Sequence, residues 1–448
     1  MTYREAIEYL HSLTDYEKKR IERYTPETLD LSRIELLLAM LGNPHQAYAS
    51  VHVAGTKGKG STAALIESAL RAAGYRTALY ISPHLHTFRE RIRVAGELVS
   101  RQEVVSLVEE LRPLIARVPG VTTFEVITAM ALTFFARQEV EILVAEVGLG
   151  GRLDATNVLS PQVAVITSLS LDHTYLLGET VADIAAEKGG IIKPAVPVVS
   201  APQQAEAAQV LQEISRSRQS PLVMVGEDWV WEGRSFDLDR QCFVVRREDG
   251  GADSLAGEYE IPLLGHHQLE NATTALATLQ VLQGQGFDLP RPVVAAGLRQ
   301  VEWPGRMEIL NRDPLVVADC AHNPYSAQVL RQALEEWFPG RRWVLVFGAS
   351  ADKDIAGMLQ GMMPVVDYLI VARSDHPRAA APVSLADVAA SVGWGAEVAV
   401  SLPRAMQRAL LVANADDGIL VTGSIFLVAE ARVFWADRNG QPPLENDH

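Results

Sequence analysis

"VHVAGTKGKGSTAALIESAL", Val51 to Leu70, passes from a β-branched apolar stretch through a glycine-rich bend into a helical pattern. Val51 and Val53 read as strand residues. Gly55, Gly58 and Gly60 free the backbone, so successive N–H groups can turn inward as an anion-binding nest. A helix beginning near Gly60–Ser61 adds the positive end of its dipole. Thr56 lies within the bend, Lys59 can reach a terminal phosphate, and Ser61 or Thr62 can offer a hydroxyl to a metal. The order Gly-Lys-Gly-Ser departs from G-x-x-x-x-G-K-[ST] by a glycine between the lysine and the hydroxyl residue. A flexible glycine loop is the plain alternative, but strand, bend and helix agree on a phosphate corner.

Working outward, strands and helices alternate. Strands are expected at Arg76–Ser82, Glu141–Gly148, "QVAVITSLS" and "VPVVSAP", and helices near 101–117 and 124–138 and at "ETVADIAAEKGGI". Val/Ile/Leu runs without polar alternation suit a mostly parallel sheet covered on both faces. Residues 221–263 instead read as small antiparallel strands, followed by a long helix from His267 to about Gly284. Trp303-Pro304-Gly305 interrupts the pattern, and a second α/β series begins at "PLVVADCAHNP". The expected architecture is α/β: a P-loop-type ATPase domain over 1–300, a linker at 301–306, and a smaller Rossmann-like domain over 307–448.

The 448 residues carry a net charge of −15, which argues against duplex nucleic acid or an anionic membrane as partner. Cys242 and Cys320 form no CxxC, the N-terminal "MTYREAIEYLHSL" lacks a signal-peptide core, and no apolar run approaches the roughly 20 residues that span a bilayer. A cytoplasmic protein is expected.

Further polar residues fall at strand ends, where open α/β sheets bind ligands. Ser82 ends a strand, with a simple turn as the alternative reading. Glu146 sits inside an apolar strand, where a carboxylate must pair or bind a metal. His173 follows a strand, Lys188 sits on a helix, and Asp319 to Pro324 open the second domain; a structural histidine, a solvated lysine and an Asx-turn are the alternatives.

In order along the chain, "GTKGKGS", "SPHL", "ERIRV", "FEVITAMALTFF", "EVGLGGRLDATN", "DHTYLLGETVADIAAEKGGIIKP", "GHHQLENATTAL", "WPGRME", "DCAHNP" and "TGSIFLVAEAR" resemble the folylpolyglutamate synthase/dihydrofolate synthase family, a branch of the Mur ligases. The resemblance covers almost the whole chain. It implies an ATP-dependent ligase in which a carboxylate is activated as an acyl phosphate and attacked by the α-amine of L-glutamate. It implies that Gly55, Thr56, Gly58, Lys59, Gly60, Ser61 and Thr62 hold the ATP phosphates, and that Asn271, Arg306 and Asp319 contact ATP with His322 beside them. Two Mg²⁺ sites are implied. Ser82, Glu146 and His173 would be ligands, and Lys188, once carbamylated, would serve the second ion. Catalytic roles fall to Lys59, Lys188 and His322. "TTFE" (Thr122, Thr123, Phe124, Glu125) and Leu153, Asp154 and Ala155 resemble the segments that hold dihydropteroate in bifunctional members, with Asp154 and Phe124 as pterin contacts. For each of these two, an Asx-turn and a core aromatic remain open as alternatives. A monomer acting on dihydropteroate or folate, ATP and L-glutamate is the implied whole.

Three positions depart from the family's pattern: Lys57 stands where Asn is usual, Gly189 where Ala is usual, and Cys320 where Gly is frequent. Gly189 could loosen the helix around Lys188. Rival readings are a ligase acting on nucleotide-linked muramyl peptides, a simple kinase, and an ATP-binding regulator without catalysis. The first leaves little room for a uridine-nucleotide domain before residue 55, and the regulator has no use for a second metal site.

Overall fold

The computed structural model describes residues 1–14, 29–248 and 255–447. Its largest sheet contains β1 (Ala49–Ala54), β2 (Thr77–Tyr80), β3 (Ile92–Val94), β4 (Glu97–Leu98), β5 (Ile142–Glu146), β6 (Val163–Ile166), β7 (Val198–Ser200) and β8 (Leu222–Met224). Their spatial order is β4-β3-β2-β5-β1-β6-β7-β8. β2, β5, β1, β6, β7 and β8 run parallel, and antiparallel pairings add β3 and β4 at one edge.

Alternate residues of the parallel strands serve two cores. Val51, Val53, Ile142 and Val144 pack with Leu65 and Ile66 of helix Lys59–Ala72 and with Leu276 and Leu279 of helix His266–Gly284. Ala78, Leu143 and Ala145 face Met130 and Phe135 of helix Thr123–Arg137. Burying each such leucine or phenylalanine contributes about 2 kcal/mol, so the central strands are held from both sides. Helix Thr123–Arg137 starts one residue before the expected position because the Thr122 hydroxyl accepts from Glu125 N–H, while the Glu125 carboxylate takes Thr122 N–H.

Residues 221–263 divide differently from the expectation. β8 joins the parallel sheet, with Val223 beside Val199, because helix Ala205–Ser217 carries the chain across as a βαβ unit. Only β9 (Trp229–Phe236), β10 (Gln241–Arg247) and β11 (Gly257–Ile261) form the antiparallel sheet.

The final sheet contains β12 (Glu308–Arg312), β13 (Leu315–Asp319), β14 (Trp343–Phe347), β15 (Val366–Val371), β16 (Glu397–Val398) and β17 (Gly418–Thr422) in the order β12-β13-β17-β14-β15-β16. All pairings except that of edge strand β12 are parallel. Between helix Arg291–Arg299 and β12 the chain crosses 301–304 without regular structure. Near the end of the chain, the Asp447 carboxylate accepts from Tyr3 Oη, Thr87 Oγ1 and Phe88 N, and Glu445 pairs with Arg89. Residues beyond the final sheet are thereby tied to the segment after Ser82. Among the described residues no helix is long and apolar enough to cross a membrane.

Candidate functional site

β1 ends at the glycine bend, flanked by β5 and β6. Gly58, at φ 86°, caps a helix that begins at Lys59, one residue earlier than expected. The helix cap uses no side chain, and among the described residues the N–H groups of Gly58, Lys59, Gly60 and Ser61 have no hydrogen-bond partner. The outer part of the bend is anchored instead: Thr56 N–H and Lys57 N–H both donate to Ser168 C=O. Side chains would not fit where glycines stand. A Cβ would lie 1.8 Å from Thr167 Oγ1 at Gly55, 2.2 Å from Asn271 Oδ1 at Gly58 and 2.7 Å from the Trp303 ring at Gly60. Thr62 Oγ1 and Ser170 Oγ are buried without partners. The two buried hydroxyls are costly unless a ligand takes them, and the uncapped N–H groups beside them are open to an anion.

Charged side chains meet this nest in two groups. In the first, β5 and β1 pair so that Glu146 stands beside Val53, two residues before Gly55. Its carboxylate lies 3.8 Å from Lys59 Nζ and accepts Ser82 N–H at 3.3 Å. Burial raises the Glu146 pKa, and Lys59 opposes that shift. Glu146 thus has a cation and a backbone donor beside it. In the second group, Lys57 Nζ is 3.0 Å from Asp172 and 3.5 Å from His322 Nε2. Asn323 Nδ2, from the second sheet's side, donates to the same Asp172 oxygen at 2.8 Å. Burial works against the Asp172 charge, but Lys57, His173 and Lys353 hold its pKa well below the usual carboxylate range. Lys57 itself is pushed down to about 8 by burial, with Asp172 resisting.

His173, at φ 51°, has Nε2 3.9 Å from Asp172, and burial lowers its pKa to about 4. Lys188 is buried at the end of helix Val181–Lys188, and its Nζ meets no hydrogen-bond partner among the described residues. Burial, with Lys59 adding repulsion, lowers its pKa to about 7, so a substantial share is neutral amine at neutral pH. Neutral amine is the form that carbamylation requires.

The second corner follows β13. Asp319 accepts from Ala321 N–H and Met307 N–H, each at 2.8 Å, and burial raises its pKa. This is the Asx-turn alternative realised. His322 Nδ1 lies 2.9 Å from Cys320 C=O, so Nδ1 carries the proton and Nε2 presents its lone pair to Lys57. Lys57, then burial, holds the His322 pKa well below its ordinary value. Arg306 bonds Gly305 C=O, and Asn271 is fixed by Gln268.

The two acceptor segments are more heavily bonded internally. Thr122, Thr123 and Glu125 are buried in the helix cap, with Thr123 Oγ1 donating to Leu10 C=O and Glu125 accepting from Arg33. Half-buried Phe124 packs against Tyr80 at 6.3 Å between centroids, and Gly148 leaves room for its ring. Leu153 is half-buried and Ala155 buried. Asp154 is buried as the cap of a short 3₁₀ turn, accepting Thr156 N–H and Leu149 N–H.

Comparison with known proteins agrees with this architecture. Residues 53–279 match the Mur ligase middle domain and residues 305–425 the Mur ligase glutamate ligase domain. Over 95% of its length the chain is 34% identical to the Mycobacterium tuberculosis protein named dihydrofolate synthase/folylpolyglutamate synthase, covering 94% of that protein. The chain belongs to the folylpolyglutamate synthase/dihydrofolate synthase family of Mur ligases. The structure described as E. coli FolC in complex with DHPP and ADP superposes with TM-score 0.84 at 31% identity, over 98% of this chain and 99% of that one. A Halobacterium salinarum relative, named probable bifunctional folylpolyglutamate synthase/dihydropteroate synthase, is 38% identical over 97% of this chain. The chain spans about half the length of that relative (52%) and of the Haloferax volcanii one (51%).

Within this family member, Asp172, Asn323, Thr167 and Trp303 also meet at the bend, and the sequence carries no signal for them. "LDHTYLL" and "HNP" contain the first two beside more conspicuous histidines. Trp303 was read only as part of a linker, but its ring seals Gly60. Lys57, noted only as a departure, joins the two corners through Asp172. The residues suit Mg²⁺ in part. Ser82, Glu146 and the unpartnered Thr62 and Ser170 hydroxyls supply the oxygen donors a hard cation prefers. Among the described residues no three His, Cys, Asp or Glu side chains gather as a closed metal site, so phosphate oxygens and water would complete any shell.

Proposed function

We propose that the chain is an ATP-dependent ligase that adds L-glutamate to folates and also joins dihydropteroate to L-glutamate. The observation that carries this is the nest of uncapped amides at Gly58–Ser61, with Lys59 beside it and Asn323, after β13, bonded to the Asp172 that Lys57 of the bend also meets. In this reading the amides and Lys59 hold the phosphates of ATP. Ser82, Glu146 and His173 would hold one Mg²⁺ and carbamylated Lys188 would serve a second, and these ions would supply neutralisation of phosphate charge. Asn271, Arg306 and Asp319 position the nucleotide, and His322 stands at the same junction. A free carboxylate is a poor electrophile. Transfer of the γ-phosphoryl makes an acyl phosphate, which the α-amine of glutamate attacks, releasing phosphate. The chain's part is alignment and charge stabilisation.

Relatives named for both synthases support the double acceptor, as do the "TTFE" and "GGRLDATN" segments: Phe124 and the loop that Asp154 folds would hold the pterin. We assign the middle domain to 1–300, the linker to 301–306 and the glutamate ligase domain to 307–448. Two cysteines without a disulfide support a cytoplasmic setting, the acidic net charge supports small-molecule partners rather than nucleic acid or membrane, and a second domain that must move to close the cleft supports a monomer.

The test is incubation with ATP, Mg²⁺ and L-glutamate plus either dihydropteroate or tetrahydrofolate, following ADP and product mass. Glutamyl products from both acceptors are expected. Extension of tetrahydrofolate alone removes the pterin reading, and absence of ADP with either removes the ligase. Intact-mass analysis of native protein should find one carboxylated lysine, absent from Lys188→Arg.

A further inference from the structure

His52 lies in β1, three residues before Gly55, and is fully buried. Nothing in the ligase scheme uses it. Its Nε2 is 2.7 Å from Thr156 Oγ1, while Nδ1 is buried without a partner. Thr156 Oγ1 also bonds Asp154 Oδ1. Both Asp154 oxygens already accept backbone N–H bonds, Oδ1 from Thr156 and Oδ2 from Leu149. The Thr156 hydroxyl proton therefore points at Asp154, and its lone pair faces the imidazole. That fixes the ring: Nε2 carries the proton and donates. Burial together with Lys193 pushes the ring's pKa down to about 3, consistent with a neutral donor. An apolar side chain would fill the same space without leaving Nδ1 unsatisfied, so the Nε2 hydrogen bond is what this ring adds.

The chain His52–Thr156–Asp154 links two places that matter for a two-substrate reaction. One end is the strand that leads directly into the phosphate nest. The other is the carboxylate around which residues 149–156 fold. We propose that His52 is a positioning residue: through Thr156 Oγ1 and Asp154 it sets the 149–156 loop against β1, so that the acceptor's carboxylate is held in register with the γ-phosphate. This rests on the ligase reading, in which that loop lines the acceptor's ring end. His52 touches neither substrate and acts only through Thr156 and Asp154.

Two variant pairs test it. His52→Phe keeps the buried volume and removes the donor, whereas the Gln amide nitrogen in His52→Gln restores a donor near Nε2. Thr156→Val breaks the relay, and Thr156→Ser preserves it. Losing one buried hydrogen bond should raise the KM for dihydropteroate and tetrahydrofolate about tenfold in His52→Phe and Thr156→Val, with the KM for ATP within about twofold of wild type. His52→Gln and Thr156→Ser should recover most of the loss. Amide hydrogen exchange gives a readout that needs no substrate: Leu149 and Thr156 N–H should exchange about tenfold faster in the two disruptive variants alone. If His52→Phe keeps either wild-type acceptor KM or wild-type exchange, the proposal falls. It falls equally if the KM for ATP rises in step with that for the acceptor. If the wild-type protein ligates neither acceptor, the proposed function fails, and unchanged exchange at Leu149 and Thr156 would separately overturn the relay.

Discussion

Two strand-to-helix corners of this molecule look alike in outline and differ in how they treat their backbone. The corner after β1 is built from glycine and leaves the N–H groups of Gly58 to Ser61 without partners. The corner after β13 answers its N–H groups from within. Asp319 takes those of Ala321 and Met307, Ser326 Oγ takes those of His322 and Asn323, and Asn323 caps Ser326 N–H. The first four N–H groups of a helix have no partner within it, and at the first corner no side chain caps them, so they stay available to an anion. The buried Thr62 hydroxyl, without a partner, adds a cost of roughly 1–3 kcal/mol that a ligand can offset. The second is a finished structure that presents side chains. The first corner offers a ligand its backbone, the second offers side chains that its own hydrogen bonds hold in place.

The sharpest way to break this contrast is Lys59→Ala. We expect ligase turnover to fall by about 10³-fold or more, since the charge proposed to meet the phosphates is gone; ADP release at a near-normal rate would remove the first corner from the reaction. Thr62→Val deletes an orphaned buried hydroxyl while keeping its shape. Turnover should drop by about 10²-fold while thermal stability rises by up to about 1 kcal/mol, and a lower melting temperature would mean the hydroxyl was satisfied after all. Asn323→Ala should do the reverse at the second corner. Loss of the cap lowers stability by about 1–2 kcal/mol, read from denaturant unfolding.

Acid should weaken the strand that feeds the first corner. His52 titrates near 3 when folded, against about 6.5 in an unfolded chain. The unfolded state therefore binds more protons between those values, and stability falls as pH drops below about 6.5, by up to about 1.4 kcal/mol per pH unit from this one group. Melting temperatures measured from pH 7 to 5 should show a shallower slope in His52→Phe; an equal slope would mean the ring is solvated. The smallest effect concerns the link between the corners. A double-mutant cycle of Lys57→Ala with Asn323→Ala should give a coupling of about 0.5–1 kcal/mol through Asp172, and strict additivity would mean the corners are independent.

Glycine at Gly55, Gly58 and Gly60 was readable because only backbone freedom explains three glycines between a strand and a helix. Glu146 was readable because a carboxylate inside an apolar strand needs a partner. Asp172 and Asn323 were not: each resembles an ordinary loop or capping residue, and their contact joins positions 151 residues apart. The edge strand β8 was misplaced because three residues of apolar sequence carry no period, and what assigns them to the parallel sheet is the preceding helix. For Thr122, Thr123 and Glu125 the sequence pattern does not show the internal bonds that the structure adds: Thr122 and Glu125 cap the helix, and Thr123 Oγ1 donates to Leu10 C=O.

The sequence by itself determined what is local. Glycine spacing, strand composition and the succession of motifs along the chain specify the phosphate corner, the α/β class and the family. Tertiary structure decided which polar groups remain free. Whether a carboxylate, hydroxyl or amide can serve a ligand depends on whether a distant residue has already bonded it, and hydrogen-bond satisfaction is a property of the packed chain rather than of any segment.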